Sequence, residues 1–433
     1  MHKLLSGSHN ADILSKGILI LDKINLQVSV PPEISKHNFT SFLWHAGFLA
    51  FAQNFMDIDT VIPAMLVEAG GTPLHIGLMA AILTGGSSFT QIIFAPLVSN
   101  DRFKKKYLLL GINSRMISLL VIALMLWRSS IHYGGNLLVP LFIAITIFAV
   151  GGAFANVSYT DILGKSVNQE SRKKFFSSKQ LLNSSILLLS ALLASRVLNL
   201  KPYPQNYALM FVIGFAALTM ASMGFWRIRE ITPSRLKIEG VRHYFRVMNN
   251  ELRTNRRIKY FLGFINTQGI AISFLPFVIL YAKDIYGTGS SETGKYLLFK
   301  VIGGIIISMF VLLFTRFSKY RILLYANVFL TLLIPGILML SNIKPPFWML
   351  FLIGGLVFSI YSITMNGVLL EISGNDNRTI YAGLAGAGNI LPALFPLLGG
   401  YIINSLGYTP FFMLYSGIIV LALFFIYKLR CLK

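Results

Sequence analysis

The sequence has little of what soluble enzymes and secreted domains are built from. Its one cysteine, Cys431, cannot close an internal disulfide, and no Cys/His spacing of the zinc type is present, so a stapled fold and a metal centre are both excluded from the expectation. A phosphate-cradling Gly-x-x-x-x-Gly-Lys-Ser/Thr loop is also missing, which argues against direct ATP drive. No cofactor is expected. Only 12% of the 433 residues are charged, where an ordinary soluble domain carries about 25%. Acids are scarcest, with 16 Asp plus Glu against 38 Lys plus Arg. What replaces charge is hydrocarbon, at 55% apolar residues and a mean hydropathy of +0.67. That composition belongs to a polytopic membrane protein.

A transmembrane helix needs about 20 mostly apolar residues. Such runs follow one another at Phe42 to Val67, Leu74 to Val98, Tyr107 to Trp127, Leu137 to Leu163, Phe175 to Leu198 and Tyr207 to Trp226. After a polar stretch come Tyr260 to Tyr281, Tyr296 to Phe314, Ile322 to Leu340, Phe347 to Leu370, Tyr381 to Ile403 and Pro410 to Tyr427. The stretch between the two sets, Arg227 to Lys259, holds ten Lys or Arg and three acids and cannot sit in hydrocarbon. The expected architecture is an all-α membrane protein of 12 transmembrane helices in two pseudo-symmetric six-helix halves. Its parts are a cytoplasmic tail (1–41), a first half (42–226), a basic connector (227–259) and a second half with a short tail (260–433). The apolar stretch Ile18 to Leu21 is too short for a signal-peptide core.

The net charge of +22 would suggest nucleic acid on a soluble protein, but here apolar runs divide it into short clusters. Counted over alternate connections, 30 basic residues fall on one side and six on the other. That bias predicts both termini and the connector in the cytoplasm of a cell (inner) membrane, with no nucleic-acid partner.

Repeats sharpen the division into halves. Arg102-Phe103-x-Lys105 after span two recurs as Arg316-Phe317-x-Lys319 after span eight, an offset of 214. Glu170-Ser171-Arg172 after span four is matched by Asp376-Asn377-Arg378 after span ten. Matches at equivalent topological positions point to duplication.

With these features the chain resembles transporters of the major facilitator superfamily from about Phe42 to Tyr427. That family carries Gly-x-x-x-Asp-Arg-x-Gly-Arg/Lys-Arg/Lys between its second and third helices. Here the aligned residues are Leu97, Asp101, Arg102, Lys104, Lys105 and Lys106, with both glycines replaced. The resemblance implies that this loop latches the cytoplasmic gate. Asp101 and Arg102 are the gate candidates, joined by Asp161, Arg172, Arg316 and Arg378, whereas Lys104 to Lys106 can equally serve topology alone. The resemblance also implies that spans one, four, seven and ten line a central cavity. Their polar groups include Asn156, Tyr159, Asn266, Gln268, Tyr361, Thr364 and Asn366, each able to bond either a ligand or a neighbouring helix.

Ionisable groups within spans are costly and mark pathways or partners. Gln53, Asn54 and Asp57 share one stripe of the first span, with Asp59 expected on nearly the opposite face. Asp57 is the candidate for a coupling proton, a cation or a polar substrate group, unless a basic residue holds it permanently. Arg115 and Lys300 either neutralise it, hold an anionic substrate or snorkel to their own surfaces. His45 and His75 are expected at the interfaces.

The leading expectation is a secondary transporter moving a small solute by alternating access, working as a monomer in the lipid bilayer. A receptor or scaffold retaining the same fold is the alternative. A membrane enzyme acting on a lipid is a further one, weakened because no histidine is followed five residues later by Asp.

Overall fold

The computed structural model describes residues 30–86, 101–129, 137–233, 246, 249–250, 252–314, 319–341, 343–373 and 388–429. All regular structure among them is helical. The helices are α1 (Pro32–Phe55), α2 (Val61–Glu68), α3 (Pro73–Ala80, continued by a π turn at Ala81–Gly85), α4 (Lys105–Ser129), α5 (Leu138–Ser166), α6 (Gln169–Leu200) and α7 (Gln205–Arg227). Then follow α8 (Arg256–Gln268), α9 (Leu275–Tyr286), α10 (Ser290–Leu313), α11 (Tyr320–Leu340), α12 (Phe347–Ser373), α13 (Ile390–Leu406) and α14 (Tyr408–Lys428). Each of the 12 apolar runs holds helix where it is described. Nine helices among the described residues are long and apolar enough to cross a membrane, and two more, Pro73–Gly85 and Ile390–Leu406, are shorter apolar helices. α1 starts at Pro32, ahead of the apolar run, with proline in its first turn where no N–H is needed.

Two spans are broken, and the breaks have a sequence cause. In a continuous first span Pro63 would clash with the carbonyl of Asp59 and forfeit a hydrogen bond. The chain instead leaves the helix at Met56 and restarts at Val61. Asp57 stabilises the restart: its Oδ1 accepts from the backbone N–H groups of Asp59 (3.1 Å) and Thr60 (2.9 Å) and from the Thr60 hydroxyl (2.8 Å). Span seven breaks in the same way. A 3-10 segment at Gly269–Ser273 separates α8 from α9, whose first turn holds Pro276. The two breaks fall near the 214-residue offset seen in the motifs.

The helices gather into two groups. α1, α4, α5, α6 and α7 pack on one another, as do α8, α10, α11, α12 and α14. Close approach within each group uses glycine. A Cβ on Gly355 of α12 would strike the Lys300 carbonyl oxygen of α10, and one on Gly111 of α4 would lie 2.5 Å from the Gly151 oxygen of α5.

The groups meet through α3 on α13, α6 on α10, and α2 on α9 and α10. These contacts sit towards the end where α2 and α6 finish and α10 begins. At that end a Cβ on Gly400 would lie 2.5 Å from the Pro73 oxygen, and one on Gly294 would lie 2.8 Å from the Ser195 hydroxyl. The opposite end carries the basic clusters.

Candidate functional site

A cavity of about 580 Å³ lies between the two groups. Gln53, Asn54, Asp57, Asp59 and Arg115 line it on one side and Lys300, Ser308, Ser359 and Ser362 on the other. A second cavity of about 200 Å³, within the first group, shares Gln53, Arg115 and Asn183 with it. The two adjoin at these residues as a smaller and a larger lobe.

Lys300 crosses between the groups. Its Nζ donates to Asp57 Oδ2 at 2.6 Å and to Asp59 Oδ2 at 2.5 Å, with the three side chains 12%, 13% and 6% exposed. One cation between two carboxylates leaves a net negative unit in a poorly solvated place. The expectation that Asp59 faces away from Asp57 is overturned, because the helix on which that geometry was drawn ends at Phe55. Further towards the same end Glu68 accepts from Lys283 (2.5 Å) and Ser290 (3.0 Å) of the second group and from Tyr207 (3.1 Å) of the first. The ion pairs between the groups thus run from the cavity wall, at Lys300, to Glu68 beyond it.

Arg115 is placed by the glycine crossing of α4 on α5. Its Cγ would lie 3.1 Å from a Cβ on Gly151, and its guanidinium carbon stands 4.2 Å from the Phe148 ring centroid. Its Nε is buried and unbonded, and no carboxylate among the described residues lies within ion-pair distance of it. Lys179 of α6 enters the smaller lobe beside it and donates to the Tyr159 hydroxyl at 3.5 Å. The charge count placed Lys179 with the connections, although the apolar run Phe175 to Leu198 contains it. The structure corrects this: α6 begins at Gln169, so Lys179 lies about 15 Å along the helix.

The remaining candidates divide. Asn156 and Tyr159 line the smaller lobe. Asn54 is 2% exposed and donates to the Leu187 carbonyl and the Ser190 hydroxyl, both at 2.7 Å, which ties α1 to α6. Asn266 joins α8 to the start of α13, donating to Leu262 and Gly388 and accepting from the Leu391 N–H. Gln268 donates to Thr331 at 2.9 Å, Thr364 bonds back to its own helix, and the Tyr361 hydroxyl is buried without a partner. Asn266, Gln268 and Tyr361 line neither lobe. The side chain of Asn366 lies outside the described residues. His45 is 5% exposed, stacks on Phe225 near the end of α7 and donates from Nδ1 to the Ala221 carbonyl at 3.1 Å. His75 accepts from the Thr72 N–H at 3.1 Å and caps α3.

At the basic end Asp101 accepts from Tyr107 (2.5 Å) and Lys106 (2.6 Å) in the first turn of α4, while the Arg102 side chain is exposed. Lys106 first, and then Tyr107, hold the Asp101 carboxyl below the usual carboxylate range, so this contact persists at neutral pH and is lost as the pH falls through that lowered value. Asp161 pairs with Lys104 (3.1 Å) and Lys165 (2.9 Å), and Lys165 pairs in turn with Glu230 (2.6 Å). Glu230 also caps the start of α4, accepting from the Lys104 and Lys105 N–H groups at 2.8 and 2.7 Å. Sequence reasoning counted Glu230 only as a connector acid. Its position just past α7, facing the Asp101 loop, was the available signal. The side chain of Arg172 and all of Arg316 and Arg378 lie outside the described residues.

A bundle of hydrophobic helices in two groups, with a polar cavity between them closed at one end, is the architecture of a membrane transporter. The chain belongs to the major facilitator superfamily, whose model matches residues 43–389. It is a multi-pass integral membrane protein and a secondary transporter. Among solved structures it is similar to a mutant form of the nucleoside transporter NupG, at 11% identity and a TM-score of 0.69 over 91% of this chain and 100% of that one. It is also similar to the xylose transporter XylE from E. coli in an inward open conformation, at 14% identity and a TM-score of 0.64 over 91% and 96%. A third is a peptide transporter POT in complex with sulfate, at 14% identity and a TM-score of 0.65 over 94% and 97%. At such identities the likeness is one of fold. No curated protein matches the sequence.

Proposed function

We propose that the protein carries a small solute through the two-lobed cavity by alternating access, with Asp57 as the coupling site for a proton or cation. Among the described residues the groups are tied together at the Glu68 end, opposite the basic end. The charge bias assigns that end, the connector and both termini to the cytoplasm of a cell (inner) membrane. Each group behaves as one rocking unit, 42–226 against 260–433, and a single chain suffices. One observation carries the reading: Lys300 in the cavity wall and Lys283 beyond it tie the groups together, so these ties must break for the cavity to open on that side. Neutralising Asp57 loosens the Lys300 tie, which links ion binding to opening. In the same scheme the Asp101 loop, with Arg102, Asp161, Arg172, Arg316 and Arg378, forms the gate at the basic end.

The test is flux in reconstituted vesicles. Asp57→Asn keeps an acceptor for the Thr60 cap while removing the charge. Gradient-driven accumulation is expected to disappear in this variant while solute exchange at equal concentrations continues. Unchanged accumulation and pH dependence would remove Asp57 from coupling. Solute binding without flux in the native protein would favour a receptor.

A further inference from the structure

We propose that the transported solute is an organic anion, whose carboxylate or phosphate head is held by Arg115 and Lys179 in the smaller lobe while its body extends into the larger one. This rests on the transporter reading of the same cavity and adds the chemical class of what it binds.

Among the described residues the smaller lobe is lined by Arg115 and Lys179 and by no acid; Gln53, Asn156, Asn183 and Tyr159 can donate hydrogen bonds into it, while His45, whose Nδ1 donates to Ala221, presents its Nε2. The Arg115 Nε is buried with no partner, as is Asn183 Oδ1. The half-buried guanidinium packs on Phe148 and beside Gly152 and has no carboxylate partner among the described residues, so its charge faces the cavities without a counter-charge. A snorkelling arginine would reach the surface, and this one does not. Its planar fork suits two oxygens of a carboxylate or phosphate, and the Lys179 ammonium adds a mobile point charge.

The larger lobe sets the orientation. With Asp57 and Asp59 both ionised, the single charge of Lys300 leaves that end net negative, which repels the anionic head towards Arg115. Ser308, Ser359 and Ser362 offer hydroxyls to a polar body. About 200 Å³ holds an oxyanion head, and the adjoining 580 Å³ admits the rest of a small metabolite.

The test uses the purified full chain and a panel of inorganic phosphate, glycerol phosphate, succinate and gluconate, set against neutral succinamide and mannitol and the cation choline. Binding is read by thermal stabilisation and titration, and transport by counterflow in liposomes. At least one organic anion should bind and exchange while the neutral and cationic probes do neither. Arg115→Met and Lys179→Met should each weaken that binding about ten- to a hundredfold, the loss expected for charged hydrogen bonds. Arg115→Lys should recover part of it. If Arg115→Met does not yield folded protein, Lys179→Met carries the same comparison. Absence of binding by every anion, undiminished binding in both Met variants, or preference for choline or the neutral probes overturns the proposal. Anion binding without counterflow would leave the anion site standing and contradict transport. Counterflow of a neutral probe unaffected by Arg115→Met would do the reverse.

Discussion

At the level of single residues, the charges that the topology does not explain turn out to have two different fates. Lys300 has two carboxylates and Arg115 has none among the described residues, although both were marked by the same rule of being basic within a span. Removing Lys300 therefore leaves Asp57 and Asp59 facing each other with no cation. Lys300→Met is expected to destabilise the protein by about 3–5 kcal/mol, read by thermal or denaturant unfolding in detergent. Adding Asp57→Asn and Asp59→Asn should recover most of that loss, since the three groups act as a unit. Asp57, Arg115 and Lys300 could be picked from sequence because acids and bases are rare in apolar runs. Asp59 was misplaced because helical periodicity was carried through the break between Phe55 and Val61, whereas Pro335 and Pro396 lie within unbroken helices. The cost of Lys179 was hidden differently: a count of charges by connection cannot tell a loop lysine from one three turns into a helix.

At the level of elements, the breaks in spans one and seven and the glycine crossings do most of the positioning. Apolar runs and their number were legible, because length and hydropathy determine them. Crossing points were not, since many glycine pairs occur and only contact shows which bear on the site. Gly355 is one that does: its missing side chain lets α12 lie against the Lys300 carbonyl. Gly355→Val must push backbone from backbone, and no flexible side chain can yield. It is expected to lower stability by about 1–3 kcal/mol, measured as a fall in unfolding midpoint, and to displace Lys300 from its carboxylates. Gly336, whose Cβ would meet nothing within 4 Å, is the matching control, and Gly336→Ala should be nearly silent. The Asp101 loop illustrates the limit of motif reading. The motif gave its location, while the partner that caps α4, Glu230, sits more than a hundred residues later in the chain.

For the whole molecule, shortage of acid and abundance of apolar residues become an arrangement: two helix groups, basic clusters at one end and ion pairs between the groups at the other. The central claim is that these ends open in turn. Two spin-label pairs in a Cys431→Ser background test it, one across the closed end at Leu200 and Ile285 and one across the basic end at Trp226 and Leu313, all exposed positions. Distance distributions would be recorded in nanodiscs over a range of pH, with and without the organic anions. The account predicts two distances for each pair, with populations that trade off, the Leu200–Ile285 pair lengthening as the Trp226–Leu313 pair shortens. One fixed distance at both ends under every condition, or both ends widening together, would contradict it.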